Sequence, residues 1–173
     1  MVCCGILVCC LIAQLLHPEL LSVCQRDASR IFAGEYWRIV TALFFQDGWI
    51  TGGVTNILAL FWIGALVEQL QDKRSWLIVS AIGALVAEAF ALYWQPVGAG
   101  NSIATCSLTG FLIVARPIST VSGRSKLLRL LSAIVLVLLL AARNLHGVAG
   151  VTGAVLGALI LRLRLDRARI DAP

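Results

Sequence analysis

The sequence predicts an all-α membrane protein, built as a bundle of six transmembrane helices, from its composition and its length. Apolar residue types make up 60% of the 173 residues, charged types make up only 13%, and the mean hydropathy is +0.92. Soluble domains carry about 25% charged residues, so this chain has too little charge to cover a surface that faces water. Because a helical span takes about 20 residues, six spans leave no room for a separate soluble domain.

The short remainder of the chain excludes several classes of function. It cannot hold a receptor ectodomain, a cytosolic catalytic domain or a nucleic-acid-binding module, so the net charge of +5 does not indicate a nucleic-acid partner. The six cysteines lack the spacing with His or Asp that is typical of a metal site. We therefore expect the chain to contact the lipid bilayer and to bind neither a metal ion nor an organic cofactor.

Apolar runs define the first three predicted spans. The first run, residues 1–16, lacks the basic start and the small-residue cleavage site of a signal peptide, which predicts a retained helix. The second, residues 52–70, ends at the charged run 72–74. The third, residues 76–94, ends where the Pro and Gly content of residues 95–101 predicts a loop.

Basic segments separate the last three predicted spans. The fourth span, residues 102–115, and the fifth, residues 130–142, are shorter than usual, and they flank a basic loop at residues 116–129. The sixth span, residues 145–161, is followed by a basic tail at residues 162–173. The two short spans are the elements whose boundaries the hydropathy defines least sharply.

The Lys and Arg residues predict how the helices are oriented. With an even number of spans both ends of the chain lie on the same side, and ten of the fourteen basic residues then fall on that side. Cytoplasmic loops are enriched in Lys and Arg, so we expect cytoplasmic termini in a plasma membrane, and the short loops and basic tail favour a bacterial one. The long segment 24–50 then lies on the outer face, where Trp37 and Trp49 suit the membrane interface.

Three polar side chains are predicted to share one depth in the membrane. Asn56, Ser102 and His146 each lie near the start of a span that runs from the outer to the inner side. Polar groups inside a bilayer are costly, and they are functional candidates for that reason. A His beside a Ser can take the hydroxyl proton and return it to a leaving amine, while the Asn56 amide and the backbone N–H of Ser102 would stabilise the oxyanion. No acidic residue lies near His146 in the sequence, which predicts a dyad.

Small residues at helical spacing predict that the fourth and sixth spans approach each other closely. Such residues let two helix backbones come together in a membrane, and a short Ser–His hydrogen bond needs that approach. The two predicted stripes are Ser102, Cys106 and Gly110 on the fourth span, and His146, Gly150, Gly153 and Gly157 on the sixth.

Four short motifs occur in order along the chain. They are the Trp37-Arg38 pair within residues 34–41, Asn56 with Gly64 and Glu68, Gly100-Asn101-Ser102-Ile103 with Gly110, and His146 with Ala149 and Gly153. Together they resemble the motifs of the rhomboid intramembrane serine proteases. The resemblance implies that Ser102 is the nucleophile and His146 the general base and acid. It also implies that Asn56 is an oxyanion donor and that Gly100 belongs to the same binding region.

The resemblance also implies a fold and a class of substrate. It implies a rhomboid-like core at about 34–157 that cleaves transmembrane-helix substrates near the outer leaflet. Because six spans leave no room for another domain, we expect this core to be part of one polytopic domain over residues 1–173. The short fifth span would be the lateral gate for substrates. The polar residues expected to line a water-filled depression at the nucleophile are Gln46, Gln95, Asn101 and Asn144.

Three positions depart from the family pattern. Gly52 stands where the family usually has a His four residues before the oxyanion Asn, Ile103 stands where a small residue usually follows the nucleophile, and Cys106 replaces a common aromatic. Two alternative interpretations stay open at this point. One is an inactive rhomboid-like protein that binds transmembrane clients, and the other is a small transporter or channel subunit that uses Glu88 and Asn56.

Overall fold

The computed structural model describes residues 2–115 and 122–170, and most of these residues are helical. Six of the helices in this part of the chain are 13 residues or longer. In chain order the elements are α1 (Val2–Leu16), α2 (Glu19–Cys24), β1 (Arg26–Asp27), α3 (Ala28–Phe32), α4 (Arg38–Thr41), α5 (Trp49–Leu70), α6 (Lys73–Trp94), β2 (Val97–Gly98), α7 (Ser102–Val114), α8 (Gly123–Ala141) and α9 (Leu145–Ile170).

Three of the described helices are long and apolar enough to cross a membrane. They are α5, α6 and the Leu145–Asp166 part of α9, and two shorter apolar helices cover Cys3–Leu16 and Ser102–Val114. Large apolar side chains such as Trp62 and Leu138 are more than 60% exposed on the outside of the bundle, as lipid-facing residues are. The chain is therefore an all-α membrane protein.

Two predicted boundaries are wrong by more than five residues, whereas α5 and α6 each begin only three residues before the predicted start. α8 begins at Gly123 and not at residue 130, because Ser122 accepts a hydrogen bond from the backbone of Ser125 and caps a helix that includes the basic residues. α9 continues to Ile170 past the predicted end at residue 161, since no Gly or Pro interrupts that stretch. Residues 116–121 of the predicted basic loop lie outside the described residues.

α7 packs against α5, α6, α8 and α9, and its closest partner is α9. A Cβ on Gly110 would overlap the carbonyl oxygen of Gly150, and one on Gly153 would overlap that of Ser107. The backbones of the two helices therefore touch, as the small-residue stripes predict. Cys106 does not belong to this seam: it lines an apolar cavity of about 300 Å³ between α7 and α8, and Ser107 takes the place opposite α9.

The segment between α1 and α5 covers the end of the bundle at which α5, α7 and α9 begin, which we call the Ser102 end. β1 pairs with β2 in an antiparallel ribbon that sets Arg26 opposite Gly98. The Arg38 side chain is 1% exposed and holds this segment, since it donates to the carbonyls of Ser22 and Gln25 and to Glu35. These contacts position the segment over the site.

Candidate active site

Ser102 and His146 meet at the Ser102 end of the bundle. Ser102 is the first residue of α7, and His146 lies in the first turn of α9. The serine Oγ is 2.7 Å from the histidine Nε2, which is a short hydrogen bond. On its other side the ring contacts Asn144, whose Oδ1 is 2.6 Å from Nδ1. The glycine seam between the two helices is what allows this approach.

A polar cavity of about 430 Å³ opens beside the Ser102 hydroxyl. All four residues that the sequence singles out line it, namely Asn56, Gly100, Ser102 and His146. Its remaining lining residues are Arg26, Asp47, Glu88, Gln95, Val97, Gly98, Ala99, Ile103 and Leu145. Since one water takes about 30 Å³ in the liquid, a cavity of this size and polarity can hold several waters next to the hydroxyl.

Two groups can donate a hydrogen bond to the oxyanion that would form when Ser102 attacks a carbonyl group. The Asn56 Nδ2 group uses one hydrogen for Gln46 Oε1 at 3.0 Å, which leaves its second hydrogen for another acceptor. As the first residue of α7, Ser102 has a backbone N–H without an intrahelical acceptor. The Gly100 N–H donates to the carbonyl of Ala42 at 2.8 Å, so Gly100 contributes space and backbone shape to the site, not a donor.

A buried chain of side-chain amides orients Asn56. Gln46 Nε2 donates to Asn101 Oδ1 at 2.7 Å, and Asn101 Nδ2 donates to the backbone carbonyl of Asn56 at 3.2 Å. Gln14 of α1 exchanges two hydrogen bonds with the backbone of Gln46, at 2.7 and 2.9 Å. Each hydrogen bond therefore fixes which atom of the next side-chain amide donates. As a result, the Asn56 side chain presents its nitrogen, and not its oxygen, to Gln46 Oε1.

The expectation that four polar residues line a water-filled depression is only partly correct. Gln95 lines the cavity, whereas Gln46 and Asn101 are buried in the amide network, and Asn144 hydrogen-bonds to His146. Gln14 was missed, because one Gln in an apolar run gives no sign of a partner 32 residues away.

A buried ion pair forms the wall of the cavity and was also missed. Arg26 Nη1 is 2.7 Å from Glu88 Oε1, with the two side chains 5% and 2% exposed, and Arg26 Nε donates to the carbonyl of Gln95. Glu88 Oε2 is one of two buried side-chain polar atoms without a partner in the described part of the chain. The sequence does contain a sign of this pair, because a carboxylate inside a membrane is costly and therefore needs a partner. No neighbouring residue in the sequence identifies Arg26 as that partner.

The structure shows what surrounds two of the departures from the family pattern, Gly52 and Ile103. A Cβ on Gly52 would meet nothing within 4 Å, so the position is open. Ile103 is 1% exposed and packs among small residues such as Ala87 and Ala149, which make room for its bulk.

Among residues 2–115 and 122–170, no three His, Cys, Asp or Glu side chains come together in a way that would hold a metal ion.

The chain is similar to a known protein family. A family model described as the Rhomboid domain matches residues 33–167, a range that includes Asn56, Ser102 and His146. No curated protein sequence matches the chain significantly. Two residues of the site region, Gln14 and Arg26, lie before the matched range.

Proposed function

The chain belongs to the rhomboid family of intramembrane serine proteases, and we propose that it cleaves transmembrane-helix substrates with a dyad of Ser102 and His146. The observation that carries the proposal is the 2.7 Å contact between Oγ and Nε2 beside a polar cavity. A serine hydroxyl is a weak nucleophile by itself, and a ring nitrogen at hydrogen-bond distance is the group that activates it.

The proposed reaction passes through an acyl-enzyme. His146 Nε2 takes the proton of Ser102 Oγ while the oxygen attacks a peptide carbonyl carbon. Nε2 then returns the proton to the leaving nitrogen, the C–N bond breaks, and an ester remains on Ser102. A water from the cavity attacks the ester and gives a proton to Nε2, and this proton returns to Oγ as the acid product leaves.

The anion formed in each attack would be stabilised by Asn56 and by the backbone N–H of Ser102. Donors held in place before the reaction stabilise charge that exists only in the transition state. The amide network supports this role, because it holds the Asn56 Nδ2 group with one hydrogen unused by Gln46. The empty space at Gly52 means that a histidine donor from that position is missing from this chain.

Six spans with cytoplasmic termini remain part of the proposal. In this arrangement all six long helices cross or enter the membrane, and Ser102 lies near the outer leaflet of a plasma membrane. α8, the fifth span, would be the lateral gate through which substrates reach Ser102. In a variant without native cysteines, a cysteine at Gln95 should label from outside, and one at Ser122 only after permeabilisation. The reverse pattern contradicts the orientation.

The transporter alternative is less well supported than the protease. It needs Glu88 to bind or pass a cation, but Glu88 is paired with Arg26 at 2.7 Å. A rhomboid-like protein without activity would share the fold and would differ only in chemistry. A chemical test at Ser102 therefore separates it from the protease.

Fluorophosphonate labelling of the purified protein tests the proposed function. The wild type should label and should cleave a model transmembrane substrate, and Ser102→Ala and His146→Ala should each abolish cleavage. Ser107→Ala removes another hydroxyl from the same helix, outside the cavity, and it should still label. A folded wild type that does not label, or a Ser102→Ala variant that still cleaves, would overturn the proposal.

A further inference from the structure

Asn144 contacts the ring nitrogen of His146 that points away from Ser102. Its Oδ1 is 2.9 Å from the backbone nitrogen of His146 and 2.6 Å from Nδ1 of the same residue. A backbone N–H only donates, so the atom that receives both contacts is the amide oxygen and not the amide nitrogen. An amide oxygen only accepts, and Nδ1 therefore carries a hydrogen.

This hydrogen determines the state of the other ring nitrogen. A neutral imidazole has one N–H, so a hydrogen on Nδ1 leaves Nε2 with a free lone pair. Nε2 is the atom 2.7 Å from Ser102 Oγ. The tautomer that Asn144 selects is thus the one that can accept the serine proton, whereas the opposite tautomer would present an N–H to the hydroxyl.

The backbone around Asn144 is held on both sides. The preceding residue, Arg143, has a φ of 54°, a left-handed conformation that a residue with a Cβ adopts rarely. The Asn144 N–H donates to the carbonyl of Leu139 at 2.9 Å, and its own carbonyl accepts from Gly147 at 3.0 Å. The tight turn between α8 and α9 therefore fixes the position from which the short Asn side chain reaches the ring.

We propose that Asn144 is a positioning residue for His146, which orients the ring and keeps its Nδ1 protonated so that Nε2 faces Ser102 as a base. The proposal rests on the proposed function for its consequence in catalysis, but its structural part concerns the ring alone. After proton transfer from Ser102, the hydrogen stays on Nδ1 and keeps its hydrogen bond to the Asn144 oxygen, so the ring keeps its orientation. Asn144 itself gains and loses no proton.

A purely structural role has to be separated from this one, because Asn144 also caps α9 through the backbone of His146. Asn144→Ser retains a capping oxygen on a shorter side chain that reaches Nδ1 less well. Asn144→Asp retains an acceptor for both contacts and adds a negative charge. Asn144→Ala removes the acceptor altogether.

The tautomer can be measured without any activity. The chain has two histidines, and His17 is exposed, so His17→Gln leaves His146 as the single imidazole. In ¹⁵N-histidine NMR of the neutral ring, this variant should show the hydrogen on Nδ1, and the additional Asn144→Ala change should move it to Nε2 for a large share of molecules. An identical tautomer with and without Asn144 would overturn the proposal.

Kinetics test the consequence for the reaction. Asn144→Ala and Asn144→Ser should each lower kcat about tenfold or more with little change in KM, as part of the general-base contribution is lost. Asn144→Asp should keep most of kcat and move the acid limb of the pH profile to higher pH, because a carboxylate favours the protonated ring. The other charged groups that line the cavity, Arg26, Asp47 and Glu88, are the same in every variant.

The outcomes distinguish this inference from the proposed function. Full kcat in Asn144→Ser, with the wild-type pH profile, would reduce Asn144 to a helix cap. A wild type that fails to label or cleave, yet has the hydrogen on Nδ1 only when Asn144 is present, would overturn the protease assignment and leave the positioning role in place.

Discussion

The two ends of the α7–α9 pair are held together by opposite means. At the Ser102 end, the side chains of Ser102 and His146 meet beside the polar cavity and hydrogen-bond to each other. Further along, the backbones touch at Gly110 and Gly153, and no side chain lies between them. The glycine seam sets the distance between the helices, and the polar end uses that distance for one short hydrogen bond. Stability should therefore depend on the seam, and activity on the polar end.

Gly153→Val should have the largest effect, because it breaks the seam. Its Cβ would overlap the backbone carbonyl of Ser107, which cannot rotate away as a side chain can. Overpacking of a well-packed interior costs about 1–3 kcal/mol and sometimes more, and we expect the upper end here, with loss of fluorophosphonate labelling. Thermal unfolding in detergent and labelling on the same samples measure both effects.

Two controls sharpen this result. Gly123→Ala adds a methyl group where nothing lies within 4 Å, so it should leave both readouts unchanged. Ser102→Ala should abolish labelling while the Tm stays within a few degrees of the wild type. A Gly153→Val protein with wild-type Tm and labelling would show that the seam does not set the distance.

Asn56→Ala should have the largest effect on rate among the residues around the dyad. Removal of one oxyanion donor costs about 10²–10³ in kcat, and KM should change little because the charge exists only in the transition state. Thr55→Ala, at the exposed neighbouring position, is the matched control. If Asn56→Ala cleaves at the wild-type rate in single-turnover assays, Asn56 serves only in the amide network.

Gly52→His should raise kcat by up to about tenfold, a smaller change in the opposite direction. Gly52 lies one helical turn before Asn56, and a side chain there has open space around its Cβ, so an imidazole has room to add a donor. Gly52→Leu, which adds bulk without a donor, should not raise kcat. An equal gain in both variants would point to packing and not to a hydrogen bond.

The difference between the two ends also explains what the sequence could predict. Apolar runs and small-residue spacing are local patterns, and they predicted most of the long helices and the close approach of α7 and α9. The pairing of Ser102 with His146 followed from their shared position at helix starts and from the family motifs. The Arg26–Glu88 pair and the Gln14 contact join residues far apart in the chain, and no local pattern encodes such partners.

The start of α8 shows a second reason for error. Hydropathy locates the apolar part of a helix, but Arg124 and Lys126 lie in its first turns, so the helix begins before the apolar stretch does. Capping residues such as Ser122 mark helix starts better than hydropathy does in these cases.

The smallest expected effect concerns Asp72, at the opposite end of the bundle from the site. Its carboxylate caps α6 through the Ser75 N–H at 2.6 Å and also contacts Arg164 of α9 at 3.1 Å. Asp72→Ala should lower the free energy of unfolding by about 1 kcal/mol, the usual value of an N-cap, without a change in kcat. A change in kcat would couple this end to the site and contradict the separation of roles.

The pH dependence of this effect identifies the charge as its source. The Ser75 backbone N–H, followed by the Ser75 hydroxyl and Arg164, lowers the pKa of Asp72 from its usual 3.8. A carboxyl with a lowered pKa contributes stability that is fully present above the ordinary value and is lost as pH falls through the folded-state value. The stability difference between wild type and Asp72→Asn, which keeps a capping oxygen without charge, should therefore be constant near neutral pH, begin to fall below about pH 4 and vanish only below the folded-state pKa. A difference that persists in acid would assign the effect to hydrogen-bond geometry, and the contact with Arg164 would then add little to the cap.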